Sequence, residues 1–371
     1  MQNNPSNNYD KLTIRFITIL QRLYEGEILS KVDLADEFNV SQKTIQRDMN
    51  SRIGLQLPLK YIRGLGWKLD EDFQMKRDSY QIYSQIIEQR EPMKYNLDLN
   101  LMKARDVLDE ADAILITAGA GMGVDSGLPD FRGTKGFWNA YPPMKKLKLE
   151  FVDIANPKWF ETAPQLAWGF YGHRLQLYRD TAPHDGFKLL RDLAQAKDDN
   201  YFIFTSNVDG QFQKAGFNEQ NISECHGSIH FNQCTQPCSQ DVWSNKEIDI
   251  DVDLTSFMAS GELPTCRHCK ELARPNILMF GDWGFVDDRT RTQQAKLNEW
   301  IRSTVSKNMK IAVIEIGAGK DIPTVRHFSE DIVSQYEATL IRINPRDFDG
   351  PDGTISLPLG GQEALTKILS L

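Results

Sequence analysis

A chain of 371 residues, 40% hydrophobic and 25% charged, has the make-up of a soluble globular protein with two or three domains. No apolar run approaches bilayer-spanning length, and the start MQNNPSNNYD lacks the basic and apolar regions of a secretory leader, so a cytoplasmic protein with no membrane partner is expected. The net charge of −8 is uneven: residues 1–70 carry ten Lys and Arg against eight Asp and Glu, and the remainder thirty-three against forty-three, which argues against a broad nucleic-acid-binding face on the main body.

Residues 11–25 place Leu12, Ile14, Phe16, Ile17, Leu20 and Leu23 near helical spacing. Ser30 is placed to cap a second helix holding Val32, Leu34, Ala35 and Phe38, and Ser41 a third, over 41–53, with Ile45, Met49 and Ile53 inward. Residues 59–62, a turn at 63–66 and residues 67–69 read as a β-hairpin. Three helices and a hairpin describe a winged helix-turn-helix over 1–70. The string LADEFNVSQKTIQRDM is similar to that of bacterial DeoR-type and WYL-type transcriptional regulators. The resemblance implies DNA as a partner, with Gln42, Lys43, Thr44, Gln46 and Arg47 meeting the major groove and Lys60, Arg63 and Lys68 holding phosphates, and permits a homodimer. The bland alternative is a helical docking module whose charges form only a solvated face. Tyr80, Ile82, Tyr83, Ile86 and Ile87 make residues 71–100 a helical linker.

From residue 101 onward, short apolar strands at 112–117, 201–205, 311–316 and 339–343 alternate with helix-length segments, which predicts an α/β fold with a Rossmann-like parallel sheet. The first strand feeds the glycine run GAGMGVDSGLPDFRG over 119–133, where backbone N–H groups could receive a pyrophosphate. Such a run alone is weak, because similar loops bind nothing. Residues after the ends of parallel strands converge on one crevice, so Asn207, Asp209, Gly317 to Gly319 and Asn344 would join it.

Ser126 to Arg132, Thr205-Ser206-Asn207-Val208-Asp209, Cys225-His226-Gly227-Ser228, the segment 274–282 and Ile343-Asn344 follow one another in the order of the sirtuin motifs. Residues 101–371 therefore resemble the sirtuins, the NAD-dependent protein deacylases. The resemblance implies NAD as cofactor and an acylated protein as substrate. It implies His226 as the base on a ribose hydroxyl, Asn207 orienting ribose and water, Asp209 accepting from the nicotinamide carboxamide, and Phe131 screening the reactive carbon. Asp130, Arg132, Ser206, and the turns Gly119, Ala120, Gly121, Met122 and Gly317, Ala318, Gly319, with Asn344, would complete the NAD site. Ile277, Leu278, Met279, Phe280 and Gly281 would form an edge strand that pairs with the acyl-lysine peptide.

Cys234-x3-Cys238 and Cys266-x2-Cys269, 27 residues apart, suit a structural zinc in a small inserted module over about 229–273. His268 would be redundant, and Cys225 reads as a packing residue. Ser206, Ala118, Ala318 and Gly319 depart from the family pattern, and two hydroxyls that contact NAD in the family are gone. Gly136 to Tyr141 lacks the Tyr-x-x-Arg pair associated with succinyl-lysine recognition, which points to neutral acyl groups. An ADP-ribosyltransferase or NAD hydrolase, and an NAD-sensing regulator, stay open as alternatives.

Overall fold

The structure is a computed structural model and describes residues 15–16, 18–20, 22–23, 26–54, 57–70, 97–129, 137–138 and 141–369. The chain divides into two compact units, Met1–Pro92 and Met93–Leu371. Most of the linker expected over 71–100 lies outside the described residues.

The first unit holds α1 (Lys31–Glu37), α2 (Gln42–Asp48), β1 (Leu59–Ile62) and β2 (Gly66–Leu69). Ser30 and Ser41 accept from the first backbone N–H groups of α1 and α2, as serine caps do. Asn39 takes up the left-handed turn between them at φ 49. The third helix is not continuous to residue 53. It widens into a π-turn over Met49–Ile53, and Ile45, Met49 and Ile53 all stay buried. Leu29 pairs with Trp67 through two backbone bonds of 2.8 and 3.0 Å, adding a third chain to the hairpin edge. Gly66 makes that approach possible, since a Cβ there would meet the Leu29 carbonyl oxygen at 2.1 Å. Beneath it, the wholly buried Asp48 carboxylate is shared by Arg15 at 2.8 Å and Arg52 at 2.7 Å.

The second unit runs α3 (Leu97–Glu110), β3 (Ala113–Ala118), α4 (Pro164–Asp180), α5 (Asp185–Ala196), β4 (Tyr201–Thr205) and β5 (Ile222–Glu224). Strands β6 (Gly227–Cys234), β7 (Trp243–Ser244), β8 (Asp251–Asp253), β9 (Met258–Ser260) and β10 (Ala273–Ile277) form the small module. The chain then returns through α6 (Asp288–Ser306), β11 (Ile311–Ile316), α7 (Thr324–Gln335), β12 (Ala338–Ile343), β13 (Ile355–Leu357) and α8 (Gly361–Leu369).

Six strands pair in parallel in the order β13-β12-β11-β3-β4-β5. Alternation of side chains splits β3 between two cores. Ile114, Ile116 and Ala118 pack with residues of α3, α5 and α8, whereas Ala113 and Leu115 pack with Leu297 and Ile301 of α6 and Val325 and Ile332 of α7. The four strands read from the sequence are present to within a residue at either end. β5 and β13, three residues each, are too short to show a period. Order reverses around β3, between β11 and β4, and such a switch point opens a crevice at the strands' carboxyl ends.

Candidate active site

A cleft of about 610 Å3 opens at that switch point. Gly119 and Ala120 after β3, Ser206, Asn207 and Asp209 after β4, His226 after β5 and Gly317, Ala318 and Gly319 after β11 all line it. The turns meet backbone to backbone: a Cβ on Gly119 would lie 2.8 Å from the Gly317 carbonyl oxygen, and one on Gly317, whose φ is +65, would lie 2.4 Å from the Met122 nitrogen. That packing engages the N–H groups of Gly119, Gly121, Met122 and Gly317 with backbone carbonyls, so a phosphate in the cleft would meet the turns at Ala120, Ala318 and Gly319.

Other expected residues serve the cleft from behind. Gly121 donates to the Gly317 carbonyl, and Met122 is buried in the core, its carbonyl bonded to His184 Nε2 at 3.0 Å. Asn344 is wholly buried. Its Nδ2 donates to the Ala318 carbonyl at 2.8 Å and its Oδ1 accepts from the N–H groups of Arg346 and Asp347. These three, like Gly281, do not line the cleft. Asp130, Phe131 and Arg132 lie outside the described residues.

The loop after β4 is stitched to the end of β3. Thr205 Oγ1 donates to the Ala118 carbonyl and accepts from the Asn207 N–H, while Asn207 Nδ2 donates to the Gly119 carbonyl at 3.0 Å. Asp209 accepts from the Gln211 N–H at 2.9 Å, yet burial pushes its carboxyl up to about 6. Burial also holds His226 below the ordinary histidine value, opposed by a hydrogen bond to the Ser206 backbone. At neutral pH the imidazole is therefore uncharged and able to take a proton. Gly227 follows because a Cβ there would lie 2.1 Å from the Asn276 carbonyl oxygen.

The segment 277–281 differs from expectation. β10 ends at Ile277, as an edge strand of the three-stranded sheet β10-β6-β7. Beyond it, Leu278 donates to the His226 carbonyl and Phe280 to the Ala155 carbonyl, so these N–H groups are already engaged. The chain turns because Arg274 grips Asp282 with two bonds of 2.8 and 2.9 Å, and Asp282 in turn accepts from the N–H groups of Met279 and Gly284. Ile277, Leu278, Met279 and Phe280 still line the cleft, with Leu278 and Phe280 partly exposed at its rim.

One wall of the cleft was not anticipated. Helix α4 sends Tyr171, Arg174 and Tyr178 into it, beside Phe137, Phe151 and Val152. Tyr171-Gly172-His173-Arg174 is itself a Tyr-x-x-Arg pair, so the absence of one from residues 136–141 carries no weight. Both residues are buried. Arg174 donates to the Tyr178 hydroxyl at 2.7 and 3.2 Å and lies over the rings of Phe151, Phe170, Tyr171 and Tyr178. The Tyr171 hydroxyl has no hydrogen-bond partner among the described residues, and burial pushes it up to about 12. The signal was in the sequence, but which helix faced the cleft was not.

The thiols of Cys234, Cys238, Cys266 and Cys269 all lie within 4.8 Å of one another, with separations of 3.5 Å for 234–269 and 3.6 Å for 238–266. A tetrahedral zinc with bonds of about 2.3 Å separates its sulfurs by about 3.8 Å, so the four fit that ion and leave no open position. His268 bonds Asp241 instead, and Cys225 sits apart from the cluster.

A glycine turn at the switch point of a parallel sheet is the arrangement that receives pyrophosphates, and it defines a dinucleotide-binding α/β protein with a metal-stapled small module. The Sir2 family pattern matches residues 119–300. The NAD-dependent protein deacylase of Leptospira interrogans serogroup Icterohaemorrhagiae serovar Lai is 32% identical over 245 residues, 66% of this chain and 85% of that protein. The chain belongs to the Sir2 family. NAD-dependent protein deacylase 1 of Archaeoglobus fulgidus is 29% identical across 67% of this chain and 86% of its own length, and the Aquifex aeolicus deacylase 30% identical across 49% and 66%. A Sir2 homologue–NAD complex shares the fold, with TM-score 0.53 and 22% identity over 72% of this chain and 92% of that one.

Proposed function

We propose that the protein is an NAD-dependent protein lysine deacylase that acts on acidic acyl groups. The observation that carries the first part is the convergence of the two glycine turns, Asn207, Asp209 and His226 on one cleft. NAD, when bound there, supplies a ribose carbon whose bond to nicotinamide breaks as the acyl oxygen attacks. The turns at 119–120 and 317–319 would hold its phosphates, and Asp209 would accept from the nicotinamide carboxamide. Asn207, fixed by the Gly119 carbonyl, orients ribose and water. His226, uncharged at neutral pH, would serve as the base that takes the proton of a ribose hydroxyl.

Support for an acidic acyl group comes from Arg174. A guanidinium buried among aromatic rings in the cleft wall matches a carboxylate far better than a methyl group, and the Tyr171 hydroxyl adds a donor. Release of free lysine from a succinyl-lysine peptide, dependent on NAD and faster than from an acetyl-lysine peptide, tests this reading.

For the first unit we propose a winged helix-turn-helix that binds DNA, so that a cytoplasmic enzyme, paired as a homodimer, acts near promoters. Serine-capped α1 and α2 followed by the hairpin support it, as do the exposed Gln42, Lys43 and Arg47. Thr44 and Gln46 are half-buried, the former bonded to Ser41 Oγ, and Lys60 is paired with Asp70 at 2.7 Å, so Arg63 is the better wing contact.

A further inference from the structure

The 27 residues between the two cysteine pairs are not a slack insertion. They lay the β8–β9 hairpin across helix α4. On that face α4 carries glycines at 169 and 172. A Cβ at Gly169 would lie 2.2 Å from the Phe257 carbonyl oxygen, and one at Gly172 would lie 2.5 Å from Ile250 Cγ2. Two turns further, Arg179 donates to the carbonyls of Ile248 and Asn245, each at 2.8 Å. Asn245 is itself bonded to the Ile229 carbonyl on β6 at 2.6 Å. Phe257, buried at 4% exposure and held at φ 59, packs its ring on His173 and Tyr141, and Tyr141 packs on Phe137 and Phe170.

Residues 169, 172, 173 and 179 share one face of a 3.6-residue helix, and 171, 174 and 178 share the other. The second set lines the cleft. Helix α4 is therefore clamped between the hairpin and the cleft, and the ends of the clamp are fixed by the four-thiol site. We propose that the segment 245–260, through Phe257 and Arg179, is a positioning element that sets Tyr171 and Arg174 at the acyl end of the cleft. This rests on the deacylase reading, since it assigns the α4 face to the acyl group. Neither Phe257 nor Arg179 lines the cleft.

The test uses the full chain carrying Phe257→Ala, with Arg179→Gln as a second variant should the first fail to fold. The KM for the wild type's preferred acyl-lysine peptide and the KM for NAD are measured separately, with zinc content as a control. A misplaced binding group costs as much as about 10²-fold, so the peptide KM should rise roughly tenfold or more while the NAD KM and zinc content stay unchanged. An unchanged peptide KM, or a parallel rise in both constants, overturns the proposal. Hydrogen exchange over 170–178 is measured in the same proteins. It should quicken in the variants, and exchange identical to wild type overturns the proposal whatever the turnover. A wild type inactive on every acyl-lysine peptide strikes the deacylase reading instead, and exchange then decides for or against the clamp.

Discussion

Two titrating residues set the expected pH behaviour. Burial lowers His226, so the imidazole is neutral and competent well below pH 7, and burial raises Asp209 to about 6, so its carboxylate protonates as pH falls through that value. Both groups are needed deprotonated. kcat/KM should therefore be flat above pH 7 and fall below about pH 6, at first with the slope of one proton and more steeply once His226 also takes one. Asp209→Asn should leave a lower rate and a one-proton limb. His226→Ala should cost about 10²–10⁴ in rate, the usual contribution of an acid–base residue, with NAD binding retained in calorimetry. Arg174→Met keeps volume but removes charge. It should cost on the order of 10²-fold in kcat/KM on a succinyl-lysine peptide, as removal of one partner of a buried ion pair does, and leave acetyl-lysine turnover near its starting level. Equal losses on both peptides would contradict the role given to Arg174. The His-Gly pair was legible as a motif, and its reason, the Asn276 carbonyl 2.1 Å from any Cβ at Gly227, is visible only once β6 and β10 pair. Tyr171 and Arg174 were equally present in the sequence, but a pair on a helix has meaning only when the neighbours of that helix are known.

Among the elements, the long parallel strands were readable because four to six consecutive apolar residues signal burial on both faces. The expected edge strand over 277–281 was not formed, because the Arg274–Asp282 pair draws the chain into a turn after Ile277. No local pattern marks a side-chain grip eight residues apart. The cysteine pairs were readable from spacing alone, since thiolates with two or three residues between them have few other uses. Their role gives a direct expectation. The parent protein should hold one zinc by metal analysis, and Cys266→Ser or Cys269→Ser should release it and lower the melting temperature, because ligand energy in such a site is folding energy. Well-folded parent protein without zinc would contradict the site. The third helix of the first unit was legible in its buried residues but not in its π-turn, where the same three side chains stay inward despite the extra residue.

At the scale of the molecule, the division at Pro92 separates a small capped-helix unit from the Sir2 fold. The 371-residue chain should bind duplex DNA in a salt-dependent manner. Arg47→Ala and Lys43→Ala should each reduce the slope of log affinity against log salt by about 0.9 for every phosphate no longer neutralised. Binding that is unaltered by both changes would contradict a reading role for α2. A chain starting at residue 93 should keep peptide turnover, because every residue lining the cleft lies beyond it. The central claim is chemical and rests on which acceptor receives the ADP-ribosyl group. It is tested most directly by mass spectrometry of the products formed from NAD and an acyl-lysine peptide. Nicotinamide, deacylated peptide and O-acyl-ADP-ribose in equal amounts are expected. ADP-ribose on protein or free in solution, with the acyl-lysine intact, would contradict the account and leave a transferase or an NAD hydrolase in its place.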